Sequence, residues 1–323
     1  MANDRPKERS IAPGSAELPD EPAAAPQPTW RRALPIALAI ALMAFVLARV
    51  DWSTFADHLV ALNYPAFLGF MTAFVLALLS ADTLATVYVY RRTIPGLKLG
   101  DFWVVRGASY LPSMLNHHVG QAWITYFVAK AYGVDLRRMV GATLLVYVSW
   151  GGCVLALACV AVVAAGLPAA WLAIPLGAGV GYLILLGIKP ARLARGRILG
   201  PLFEAGIGGH LVAMAVRAPH LIVLFLGTWL PFWFFGVEIP LTAALTYVPV
   251  IMVAVTLPIT PQGFGTRDAL AAAFFESFVV ATTHDQRLAA LAAVTATTAA
   301  ALVVIEAVLG VVLLRRASAL LPR

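Results

Sequence analysis

Long apolar runs separated by short polar connectors set the pattern of this chain. Runs at 65–90, 139–165, 171–188, 219–235 and 288–314, with a slightly shorter one at 33–48, approach or exceed the roughly 20 residues a membrane-crossing helix needs. Two further runs are broken from within. Residues 102–129 carry LPSMLNHHVG at 111–120, and residues 241–282 carry LPITPQGFG at 257–265. Pro258, Pro261, Gly263 and Gly265 stop a helix, because proline lacks a donor and clashes with the preceding turn while glycine favours irregular backbone. Helical sequence restarts at Thr266-Arg267-Asp268, with Thr266 as the expected N-cap. At membrane depth such irregular backbone survives only where protein or a water-filled cavity satisfies its amides. In transporters, broken helices of this kind mark the binding site. Residues 199–217 contain Gly206, Gly208 and Gly209, which weaken a span, and read as either an interfacial helix or an embedded segment.

Charge placement turns these runs into a topology. Arg31-Arg32, the connector with Arg91, Arg92 and Lys98, the one with Lys130, Arg137 and Arg138, the one with Lys189, Arg192, Arg195 and Arg197, and Arg315-Arg316 are basic, which assigns them to the cytoplasmic side. The connector 49–63, with Asp51 and Asp57, suits the opposite side. Basic connectors on both sides of 102–129 mean that this segment does not cross: it is a re-entrant hairpin entering from the cytoplasm. Parity then makes 241–282 a second hairpin entering from outside. The expected fold is all-α and polytopic, with about six spanning helices plus two opposed re-entrant hairpins related as an inverted repeat, an arrangement that places a substrate site near the midplane. Residues 1–32, rich in Pro, Ala and Glu, read as a disordered cytoplasmic tail, and 33–323 as the transmembrane domain with both termini cytoplasmic.

Composition agrees. The chain is 61% hydrophobic and 12% charged, with mean hydropathy +0.86, a balance that belongs to membrane proteins. Its net charge of +7 sits mostly in the connectors, which argues for topology and against a nucleic-acid partner. Cys153 and Cys159 share one apolar run, about 9 Å apart along a helix, and cannot pair there. No metal-spaced His/Cys set, cofactor loop or nucleophile motif is present in the sequence, so no metal, cofactor or catalytic residue is expected.

Arg106, Tyr110 and Ser113 fall on one helical face leading into the first break, and Arg267 follows the second. Intramembrane arginine is costly and usually faces a partner or a cavity. With the tip glycines Gly120, Gly263 and Gly265 and the N-termini of two restarted helices, Arg106 and Arg267 form an expected anion site suited to a lipid phosphate. His117 and Gln121 stand at the first tip. Asp268 has two readings, substrate contact or simple complement to its helix dipole. Asp82 with Thr86 and Tyr90 makes one polar stripe, and Thr295 and Thr298 with Glu306 another. Asp82, Glu276 and Glu306 either carry protons for coupled transport or neutralise the arginines.

Arg106-Gly107, Leu111-Pro112 and Gly120-Gln121, followed by Leu257 to Gly265 and Arg267-Asp268, resemble the paired signatures of the lysylphosphatidylglycerol synthase/flippase transmembrane-domain family. The resemblance covers nearly everything after the tail. It implies a multi-pass protein of the bacterial cytoplasmic (inner) membrane that translocates an anionic phospholipid or lipid-linked head group between leaflets. The implied partners are that lipid in the bilayer and enzymes of lipid or glycan biosynthesis. Departures from the family pattern are Gln121 and Asp268 where glutamate is usual, and Trp123-Ile124 where an arginine is common. The family's soluble synthase half is missing. The alternative is a membrane-embedded enzyme or accessory subunit in lipid or glycolipid biosynthesis.

Overall fold

The computed structural model describes residues 52–114, 116–256 and 265–321, and all of its regular structure is helical. In chain order the helices are α1 Trp52–Ala61, α2 Tyr64–Tyr90, α3 Leu99–Ala108, α4 Tyr110–Ser113, α5 His117–Ala131, α6 Leu136–Ala164, α7 Ala173–Ile188, α8 Ala191–Ala194, α9 Gly200–Trp229, α10 Leu241–Thr256, α11 Thr266–Phe275 and α12 His284–Ser318. Among the described residues five segments are long and apolar enough to cross a membrane: Tyr64–Tyr90, Leu136–Ala164, Ala169–Ile188, Gly200–Phe235 and His284–Ser318. This is consistent with a polytopic membrane protein. The expected tail and the run 33–48 lie outside the described residues.

Helix starts follow local chemistry. The Asn63 side chain accepts the Ala66 N–H at 3.2 Å ahead of α2, with Pro65 where a donor is not needed. Asp135 accepts the N–H groups of Arg137 and Arg138 at 2.7 and 3.2 Å at the head of α6. Thr283 and Gln286 cap α12 reciprocally. The first interrupted run forms α3, α4 and α5, broken at Ser109 and between Ser113 and His117, whereas Pro112 lies inside α4 and Gly120 inside α5. The described part of the second run forms α10 and α11, and 257–264 lie outside the described residues.

The segment 199–217, left open between an interfacial helix and an embedded segment, runs on into the following span. Helical structure continues from Gly200 to Phe235, 36 residues, kinked at Gly206, and passes through Pro219. Its one non-helical residue is Gly206, at φ 62° and ψ 178°. The Gly206 carbonyl accepts from His210 Nδ1 at 2.7 Å. Proline forfeits one backbone bond, but packing of α9 against α2 and α6 holds the helix together.

The long helices α2, α6, α9 and α12 form the centre: α2 packs on α6, α9 and α12, and α6 packs on α9. Contacts along α2 and α9 run antiparallel, with Arg92 beside Gly209, Asp82 bonded to Arg217, and Phe74 on Gly227. A Cβ on Gly227 would collide with the Phe74 ring, so glycine is what lets the two helices approach there. Helices α3 and α4 lie against α12, and α10 lies against α6. The Tyr132 hydroxyl after α5 donates to Asp101 at the start of α3 (3.2 Å), so the two arms of the first broken run meet at their open end. That end also holds the ion pairs Arg138–Glu204 and Arg197–Asp135, both 3.5 Å, which gather the basic connectors. Tyr247 stacks on Phe274, ring centroids 4.7 Å apart, joining the first half of α10 to the end of α11.

Candidate functional site

The polar stripe on α2 faces inward, and each member has a job. Asp82 is the hub. Its carboxylate accepts from Arg106 Nε on α3 at 2.5 Å and from the Arg217 guanidinium on α9 at 3.0 Å. The other Arg217 donors reach Ser149 Oγ on α6 (3.1 Å) and Thr86 Oγ1 (3.2 Å). Arg106 also donates to Ser109 Oγ at 3.0 Å and lies over the Tyr110 ring, 5.3 Å from its centroid. His220 completes the cluster, with Nδ1 4.0 Å from Asp82 and, among the described residues, without a hydrogen-bond partner on that nitrogen. Asp82 and Arg217 are buried, so water screens this cluster little, and removing one partner would leave a stranded charge. The cluster therefore clamps α2, α3, α6 and α9 together.

Tyr90, at the end of the stripe, exchanges a hydrogen bond with Thr143 at 2.9 Å, and Thr143 does the same with Thr125. Gln121 joins this hydroxyl chain by donating to Tyr90 at 3.2 Å. Gln121 thus ties α5 to α2. Gly120 packs α5 onto α4: an added Cβ would collide with Ser113 and come within 3.1 Å of the Ser109 carbonyl. That close approach, rather than room for a ligand, is what the glycine supplies. His117 is exposed at the head of α5, and its neighbour His118 meets the Tyr147 hydroxyl at 3.2 Å.

A separate cavity of about 190 Å³ lies among α2, α9, α10, α11 and α12. Its apolar wall includes Phe74, Leu78, Leu224, Phe232, Ile251 and Leu302, and its polar groups come from Arg267, Asp268, Thr295, Thr298 and Glu306. Drug-sized pockets run from roughly 300 to 1,000 Å³, so this volume suits a small polar group rather than a whole lipid. Thr295 Oγ1 donates back to the Leu291 carbonyl at 3.0 Å, whereas Thr298 Oγ1 is buried without a partner among the described residues. Among the described residues no hydrogen bond or close ion pair reaches the Arg267 guanidinium, although it feels the charges of Asp268 and Glu306. Glu306 in turn feels both Arg106 and Arg267. Asp268 is partly committed: it accepts the Gly265 N–H at 2.9 Å. Gly265, at φ 78°, is the N-cap of α11, so the expectation of Thr266 in that place is corrected. A left-handed φ there favours glycine.

The structure splits the expected two-arginine clamp. Arg267 lines the cavity, while Arg106 is bound into the Asp82 cluster, and no residue of α3, α4 or α5 lines the cavity. Glu276 is not brought to either arginine. It ends α11 and pairs with His284 Nδ1 at 2.6 Å across the connector to α12. Gly263 lies outside the described residues. Arg217 and His220 escaped the sequence reading, because Pro219 suggested a helix boundary and made Arg217 look like a flanking charge. The signal that could have found them was the apolar sequence on both sides of Arg217. No protein-family model, curated protein or solved structure matches the chain.

Proposed function

We propose that this protein moves an anionic phospholipid or lipid-linked head group between leaflets, and that Arg267 receives its phosphate. The observation that carries this reading is the pairing pattern. Arg106 is held by Asp82 and Ser109, while Arg267 lines a cavity beside a threonine hydroxyl that has no partner among the described residues, and beside an apolar wall. A guanidinium without a partner in an apolar setting is expensive unless a ligand or water completes it. Its planar fork matches phosphate oxygens.

In this proposal the two broken runs are re-entrant hairpins that open toward opposite membrane faces and form an inverted repeat, as in the flippase-like family the sequence resembles. Supporting it, the Asp101–Tyr132 bond ties the first pair of arms to the end that carries the basic connectors. The second pair closes beside the far end of α9, and α2 and α9 run antiparallel. The basic end would face the cytoplasm of a bacterial cell. Purified protein in vesicles carrying acyl-labelled phosphatidylglycerol tests the function. Label in the inner leaflet should become accessible to an impermeant quencher faster than in protein-free vesicles. Equal rates would remove the proposal.

A further inference from the structure

At the basic end of the bundle, α2, α3 and α9 enclose a groove of about 770 Å³. Leu84 and Val87 from α2, Leu99 from α3, and Val216 and Pro219 from α9 line it, with Tyr88, Arg91 and Arg92. It is distinct from the Arg267 cavity, with which it shares no residue. Leu84 and Leu99 are more than one-third exposed, so the apolar part opens on the outer surface of the bundle. Arg91 and Arg92 close α2 and cap the groove with two positive charges, and no carboxylate lines it. Arg91 Nε donates to the Leu97 carbonyl at 3.0 Å, which fixes the side chain and leaves its terminal nitrogens without a protein partner among the described residues. The Arg92 guanidinium stands 5.9 Å from the centroid of the Tyr88 ring. It also lies against Gly209, where a Cβ would come within 2.8 Å of its Nη1. Glycine at that point lets the guanidinium rest on α9.

Seven residues of helix separate Leu84 from Arg91, about 10 Å of rise. The groove is therefore apolar along its length and doubly cationic at the end where the membrane helix stops. We propose that it holds an anionic phospholipid from the surrounding leaflet, with the phosphate on Arg91 and Arg92 and an acyl chain along Leu84, Val87, Val216 and Pro219. Two guanidiniums without a balancing acid favour a net-negative head group over a zwitterionic one. The lipid is a resident that braces α2 against α9. It is not the transported molecule, and the inference does not depend on transport.

The test uses the full chain in neutral detergent, with phosphatidylglycerol or phosphatidylcholine added as mixed micelles, and follows the unfolding midpoint. A ligand of the folded state raises the midpoint with concentration. Phosphatidylglycerol should raise it at concentrations at least about tenfold lower than phosphatidylcholine does. Measured in the Arg267→Gln background, so that the proposed transport site does not contribute, R91Q/R92Q should abolish that difference, R91K/R92K should retain part of it, and Val216→Trp, which fills the apolar section and keeps both arginines, should weaken it. An undiminished phosphatidylglycerol response in R91Q/R92Q or Val216→Trp would overturn the site. So would an equal response to phosphatidylcholine, or full reproduction by inorganic phosphate.

Discussion

Asp82→Asn isolates the role of the buried charge cluster. Asp82 is the only carboxylate bonded to Arg106 and Arg217 among the described residues, at 2.5 and 3.0 Å, and is itself 8% exposed. Asparagine keeps the shape but strands two guanidiniums, and breaking a buried pair from one side costs about 3–5 kcal/mol. Arg217→Gln is milder. It leaves a one-to-one Asp82–Arg106 pair, and the new amide can still reach Thr86 and Ser149, so a cost of about 1–3 kcal/mol, the range for an imperfectly satisfied buried group, is expected. The double variant should cost less than the sum, because the two residues share one interaction. Denaturant unfolding in mixed micelles, together with membrane expression, measures all three. If Asp82→Asn costs no more than Arg217→Gln, or if the two effects add, Asp82 is not the hub and the charge argument fails.

Three further outcomes are expected. Gly120→Ala should destabilise by about 1–3 kcal/mol through overpacking on Ser113 and Ser109, and Ser113→Gly in the same chain should recover part of the loss, read by the same unfolding assay. Cysteines at Thr93 and Asp135 should react with an impermeant thiol reagent from the same side of a vesicle, since both lie at the basic end; labelling from opposite sides would remove the first hairpin. The N–H groups of Arg138 and Arg137 hold the exposed Asp135 carboxyl below its ordinary value of 3.8. Its capping contribution is therefore full above that value and is lost as pH falls through the lowered one, so an acid titration of stability should be shallower in Asp135→Asn.

Much of the helical plan was legible because membrane runs announce themselves by length and apolarity, and because Asn63, Asp135 and Thr283–Gln286 write their own caps. The break expected within 111–120 falls between Ser113 and His117, where Asn116 caps α5, rather than at Pro112 or Gly120, both of which are helical. Pairing was less legible. The α2 stripe of Asp82, Thr86 and Tyr90 was visible as a stripe, but its partners come from helices up to 135 residues away in sequence. Pro219 hid Arg217, since proline's local cost reads as a boundary when the packing that outweighs it is unseen. Glu276 was expected to carry protons or neutralise an arginine, but α11 stops at Phe275 and leaves Glu276 to His284.

The most direct test of the central claim is leaflet transfer of labelled phosphatidylglycerol by Arg267→Gln protein, with Arg267→Lys beside it. Because Arg267 has no close partner among the described residues to strand, both variants should insert and unfold near the wild-type midpoint. Transfer should fall at least about tenfold in the glutamine variant, the loss of one charge-assisted contact of roughly 1.5 kcal/mol or more, and lysine should restore only part of it. Transfer at the wild-type rate by a well-folded Arg267→Gln protein would contradict the account.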